Sequence, residues 1–225
     1  MIALLRYQWA ILLRSYRWLF PLLIYLFLVV AGAAGAPPPL AQGLGWSAAV
    51  LVPSVAVLTR SMLTAEPDAV RACVSAATDP VRAQFATLLT ELAGGAVLAV
   101  GGAIFEVIMD VPPSGSSRAG ALLDPGVLLA GLAVALVCLL AGSAVGALCN
   151  PPLLRHPGMA ILSTIGAVVF ALAASVSPAN AALRTSGISG HLVRWPSPLT
   201  FVAALALVVV TWTASILAAA YRGGR

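Results

Sequence analysis

The apolar positions of this chain come in runs too long for the helices of a water-soluble domain. From Arg17 to Arg60 no charged residue intervenes. That is room for two membrane spans, since a bilayer core about 30 Å thick takes roughly 20 helical residues. Pro37-Pro38-Pro39, with Gly43 and Gly45 behind it, divides the run and predicts TM1 over 19–36 and TM2 over 46–62. Asp79-Pro80 reads as an N-cap followed by proline at the first helical position, so TM3 runs over 80–109. TM4 over 126–148, TM5 over 158–177 and TM6 over 199–220 complete the pattern. The expected fold class is all-α: a polytopic membrane protein with six transmembrane helices in one domain covering residues 1–225.

Three stretches outside the spans carry their own patterns. Over 2–17, Arg6, Arg14 and Arg17 fall within an arc of about 80° at 100° per residue, while Leu4, Leu5, Trp9, Ile11, Leu12 and Leu13 fill the rest. This predicts an interfacial helix along the cytoplasmic surface, anchored by Arg6, Arg14, Arg17 and Trp9. The alternative is a single tilted helix over 2–36 with basic flanks. Thr64–Arg82, TAEPDAVRACVSAATDPVR, predicts a short helix over 67–78, with Pro67 and Asp68 suited to its first turn. Bracketed by two spans and too polar for lipid, it would project as a knob; an ordinary loop is the alternative. Residues 178–197 hold Leu183, Ile188, Leu192, Val193 and Trp195, too apolar for a freely solvated loop. They are expected to fold back as a re-entrant outer segment.

Charge gives the bundle a direction. Only 8% of the 225 residues are charged against 61% hydrophobic, and mean hydropathy is +1.03; soluble domains run near 25% charged. With the N-terminus inside, nine arginines fall on the cytoplasmic side, and only Arg118, Arg184 and Arg194 fall outside. That bias places both termini in the cytoplasm, in the plasma (cytoplasmic) membrane. A net charge of +5 with the arginines scattered at segment ends speaks against a nucleic-acid partner. All 12 basic residues are arginine, so a Walker A loop, which needs lysine, is excluded, and any driving force comes from a partner or an ion gradient. The apolar stretch after the first arginines is long enough to span, so no cleaved signal is expected. Cys73, Cys138 and Cys149 share no metal-ligand spacing.

Taken together, the six spans, the preceding interfacial helix and the inward knob resemble the type-2 ABC (ATP-binding cassette) transporter permeases, the ABCG-like or type V class. The closest local likeness is Glu66 followed by VSAATDPVR over 74–82. It resembles the family's acidic residue at the end of the second span and a short helix closing in a small-x-x-Pro-x-Arg step. Pro67-Asp68 stands where the family more often has a basic, glycine-containing run. The lysine-free, alanine- and arginine-rich composition resembles that of high-GC actinobacterial proteins. The resemblance implies that 67–78 is a coupling helix whose residues Glu66, Asp68, Arg71, Val74 and Ala77 meet the ATPase. It implies two copies of a separate ATPase subunit that hold ATP and magnesium, a second permease, identical or paralogous, and efflux of a hydrophobic or amphipathic substrate between the two. The chain itself would bind no cofactor and would not be an enzyme. A polytopic membrane enzyme, a secondary transporter and a structural membrane subunit are the alternatives.

Within the spans, carboxylates are the candidate chemistry, because burying a charge in lipid is expensive. Glu91 and Glu106 on TM3 are about 60° apart around the helix and about 22 Å apart along it, on one face but near opposite interfaces. They are candidates for the substrate path; the alternative is solvation by headgroup water. Gly187-Ile188-Ser189-Gly190 matches the GxSG string of rhomboid proteases, but a serine nucleophile needs a histidine base. His191 shares its loop and His156 is expected on the opposite face. Gly142-x-x-x-Gly146 on TM4 and the pairs Gly94-Gly95 and Gly101-Gly102 on TM3 permit close helix approach, within the subunit or across a dimer face.

Overall fold

A computed structural model describes residues 2–34, 40–64, 79–109, 125–149, 157–185 and 195–223. Among them lie eight helices: α1 (Ile2–Arg14), α2 (Leu19–Ala33), α3 (Leu40–Leu63), α4 (Pro80–Met109), α5 (Pro125–Leu148), α6 (Pro157–Ala173), α7 (Pro178–Thr185) and α8 (Pro198–Gly223). The fold is helical throughout these residues. Helices α3, α4, α5 and α8 are each long and apolar enough to cross a membrane. Two bent pairs, α1 with α2 and α6 with α7, raise the number of candidate spans to as many as six. Such apolar helices fit a multi-pass membrane protein.

Helix boundaries depart from the expected spans where side chains intervene. The interfacial helix expected over 2–17 ends at Arg14. The Ser15 amide and hydroxyl donate to the carbonyls of Ile11 and Leu12, and Tyr16 then takes a positive φ of 54°, which a helix cannot continue through. The chain turns by 68° into α2, so one straight helix over 2–36 is excluded. TM2 starts six residues early, at Leu40, and runs through Gly43 and Gly45. Gly43 does not break the helix; it makes room, because a Cβ there would collide with the Glu106 carboxyl. TM5 stops at Ala173. Pro178 opens α7 after a 41° bend, and the Asn180 side-chain amide donates back to the Leu172 carbonyl, satisfying a terminal acceptor of α6. Asp79 is the expected N-cap: its Oδ1 accepts the Val81 amide at 3.2 Å.

The core is the contact of α3 with α5, flanked by α4, α8 and α2. Leu51, Val52, Val55, Val134 and Val137 are fully or almost fully buried there. The G-x-x-x-G of α5 packs inside the subunit, with Gly142 facing the Val52 backbone and Val55, and Gly146 facing Thr59. In α7, Ala179 and Ala182 are fully buried against the bundle, so the first part of the 178–197 segment packs on protein. Residues 186–194, including Gly187–Gly190 and His191, lie outside the described residues, and Trp195 beyond them is 56% exposed.

One end of the bundle is cationic. Arg17 Nη1 donates to the Thr64 carbonyl at 2.7 Å, bringing the α1–α2 elbow to the C-terminus of α3. Gln84 in the first turns of α4 donates to Ser215 near the end of α8 at 3.0 Å. Arg14, Arg17, Arg60, Arg82 and the Arg222 position therefore share this end, while Arg184 sits on α7 at the other.

The glycine contact can be tested directly. A Cβ on Gly142 would approach the Val52 carbonyl oxygen to 2.8 Å, whereas nothing lies within 4 Å at Gly166. Gly142→Val should cost about 1–3 kcal/mol through overpacking, and Gly166→Val should be near neutral. Thermal unfolding of both variants in the same detergent is the measurement.

Candidate functional site

Helix α4 is inverted relative to a soluble amphipathic helix. Its exposed positions include Phe85, Leu89, Val97, Val100, Ile104 and Ile108, and its buried ones include Thr87, Thr90, Glu91 and Glu106. Apolar outside and polar inside is the arrangement that lipid demands, because ionisable groups in a span must face protein. Glu91 is 1% exposed and Glu106 5%, so neither is solvated at a headgroup boundary. Their spacing puts both on the inward face of α4, and each gathers its own neighbours.

Around Glu91, four helices converge. Ser143 of α5 donates its hydroxyl to Oε2 at 3.1 Å, and the Trp212 indole of α8 donates to the same Ser143 oxygen at 3.2 Å. Thr59 of α3 faces the carboxyl, but its hydroxyl proton goes to the Val55 carbonyl at 2.9 Å. Glu91 Oε1 is consequently buried without a hydrogen-bond partner, an uncommon condition for a buried polar atom. Gly146 permits this convergence, since any side chain there would displace Thr59. Phe85 meets Trp212 edge-on, ring centroids 6.0 Å apart at 84°, and fixes the indole on α4.

Glu106 belongs to a second cluster near the far end of α4. It lies over Gly43 of α3 and within electrostatic reach of Tyr25 of α2, whose hydroxyl meets Ser47. Fifteen residues of helix, about 22 Å, separate the two carboxyls, so they cannot share a proton or a ligand.

Of the other expected site residues, Arg6, Arg14 and Arg17 are exposed and Trp9 is half-buried. Glu66, Asp68, Arg71, Val74 and Ala77, with the whole coupling segment 67–78, lie outside the described residues, as do His156 and Cys73. Ser143, Trp212 and Thr59 were not singled out in the sequence. The available signal was a serine placed between the glycines of the α5 motif, a small polar residue where helices approach most closely. Among the described residues no group of three or more His, Cys, Asp or Glu could hold a metal ion. What the Glu91 cluster offers is a tie between α4, α5 and α8, with one carboxyl oxygen still open to a donor.

No family model, no curated protein and no solved structure matches this chain.

Ser143→Ala removes the donor to Glu91 and the acceptor of Trp212 together, and should destabilise the bundle by about 1–3 kcal/mol. Combined with Trp212→Phe it should be non-additive by about 0.5 kcal/mol or more. Thr213→Ala, whose exposed hydroxyl bonds only carbonyls of its own helix, should change little. Unfolding in detergent checks all three.

Proposed function

We propose that this chain is the membrane-spanning permease subunit of an ABC exporter. In this reading six helices cross the plasma membrane, both termini are cytoplasmic, and a second permease, identical or paralogous, completes the path. Two separate ATPase subunits with ATP and magnesium supply the energy. The observation that carries the reading is the arrangement of one cationic bundle end. There the elbow bonds the C-terminus of α3 and the first turns of α4 bond the end of α8, and Thr64 and Asp79 are the described residues that flank 65–78. An excess of arginine marks a cytoplasmic end, where an ATPase would find the segment expected to couple to it.

On this reading Glu91 and Glu106 gate the path and do not line a standing channel, because both are enclosed between helices of one subunit. They would become accessible to substrate only when α4 separates from its neighbours. The few polar groups elsewhere in the spans favour a hydrophobic or amphipathic cargo.

The test is reconstitution with a phosphate-loop ATPase encoded beside this chain. The two should copurify, and Arg71→Glu, or acidic residues at Val74–Ala76, should reduce ATP-dependent transport at least about tenfold, about 1.4 kcal/mol of lost coupling, with unchanged membrane levels. Retained copurification and full transport in those variants would refute the docking assignment. Glu91→Gln should alter substrate-stimulated ATPase activity; an unaltered response removes that carboxyl from the cycle.

A further inference from the structure

The elbow between α1 and α2 encloses a cavity of about 180 Å³ against α3 and α4. Trp9 and Leu12 of α1, Trp18 of the elbow, Leu58 of α3 and Gly94 and Val97 of α4 form most of its wall. The wall is almost wholly apolar, a lining that offers water no partners and suits hydrocarbon. Gly94 keeps its floor open, for a Cβ there would already press on Leu58 at 3.2 Å. The cavity opens outward at Val97, which is 66% exposed, and at Leu13, which is 58% exposed.

Two arginines adjoin the lining residues along the chain. Arg14 follows Leu13 and Arg17 precedes Trp18, and both arginines are exposed. Arg17 is oriented by its bond to the Thr64 carbonyl, which uses one of the five donors of its guanidinium. The indole N–H of Trp18, in the same wall, is buried with no hydrogen-bond partner. At this bundle end the described acid is Asp79, whose carboxylate already accepts the Val81 amide.

From an apolar pocket bordered by two arginines we infer that the elbow is a binding site for an anionic diacyl phospholipid of the bilayer. One acyl chain enters between α1 and α4, and the phosphate headgroup rests on Arg14 and Arg17. A zwitterionic lipid would fill the pocket but would forgo most of the charge term, so the site selects by headgroup. The 68° bend between α1 and α2 brings Trp9 and Trp18 into the wall of the same pocket. The site needs no ATPase, so its fate is separate from that of the transporter reading.

Full-length protein in vesicles of phosphatidylcholine and phosphatidylglycerol in equal amounts, extracted into detergent and washed, provides the test, with retained lipid counted by native mass spectrometry. About one phosphatidylglycerol should stay per chain, favoured over phosphatidylcholine by about fivefold or more, as one arginine near a phosphate already provides. Val97→Trp, which fills the mouth, should abolish retention; Leu13→Trp, at the other lip, is the second variant should the first not fold. The double variant Arg14→Gln, Arg17→Gln should hold lipid without preference. Absence of retained lipid in the native protein, equal retention of both lipids, or unchanged retention in the filled variants would overturn the proposal. So would an undiminished preference in the arginine double variant.

Discussion

Lipid offers no hydrogen bonds, and that single constraint orders the described helices. In water a helix shows its carboxylates; α4 buries Glu91 and Glu106 with Thr90 while exposing Val97, Val100 and Ile104. Polar side chains are then the scarce contents of the interior, and they collect where helices cross. Glu91, Ser143 and Trp212 join α4, α5 and α8 in one such place.

Close approach and polar contact are parts of one device here. Hydrophobic burial does little to drive helices together in lipid, so packing depends on small residues that let backbones meet. Gly142 and Gly146 bring α5 onto α3. The same approach carries Thr59 up to Glu91, and Gly43 does the equivalent for Glu106 at the far end of α4. The unpartnered Oε1 of Glu91 accompanies this convergence, since the hydrogens of Thr59, Ser143 and Trp212 are already committed. The carboxyl is thus satisfied on one oxygen and open on the other.

The cationic end contributes a second organising feature. The elbow and the α3 terminus are linked through Arg17 and Thr64, so the cationic arginines and the point where the chain leaves α3 lie together. Lipid held at the elbow and a motor gripping the connection over 65–78 would act on neighbouring parts of the same structure.

The long apolar helices, the arginines at segment ends and the shared face of Glu91 and Glu106 were legible in the chain itself, whereas the number of spans and the burial of both carboxyls were not. Hydropathy accumulates residue by residue, and the 100° step of a helix places Glu91 and Glu106 on one face without reference to any partner. The capping of α4 by Asp79 was legible for the same reason, because it is settled between residues 79 and 81. What lay beyond the sequence were the outcomes that depend on distant segments. Gly43 reads as a helix breaker until Glu106, far along the chain, is seen to occupy its space. Ser143 and Trp212 are unremarkable in their own spans, and only the crossing of α5 and α8 over α4 joins them to a carboxyl. The end of α1 at Arg14 and the cavity behind it likewise follow from a turn at Tyr16 closing against α3 and α4. Periodicity is a property of neighbours along the chain, whereas a crossing point is fixed by which two surfaces pack, and no local pattern encodes that choice.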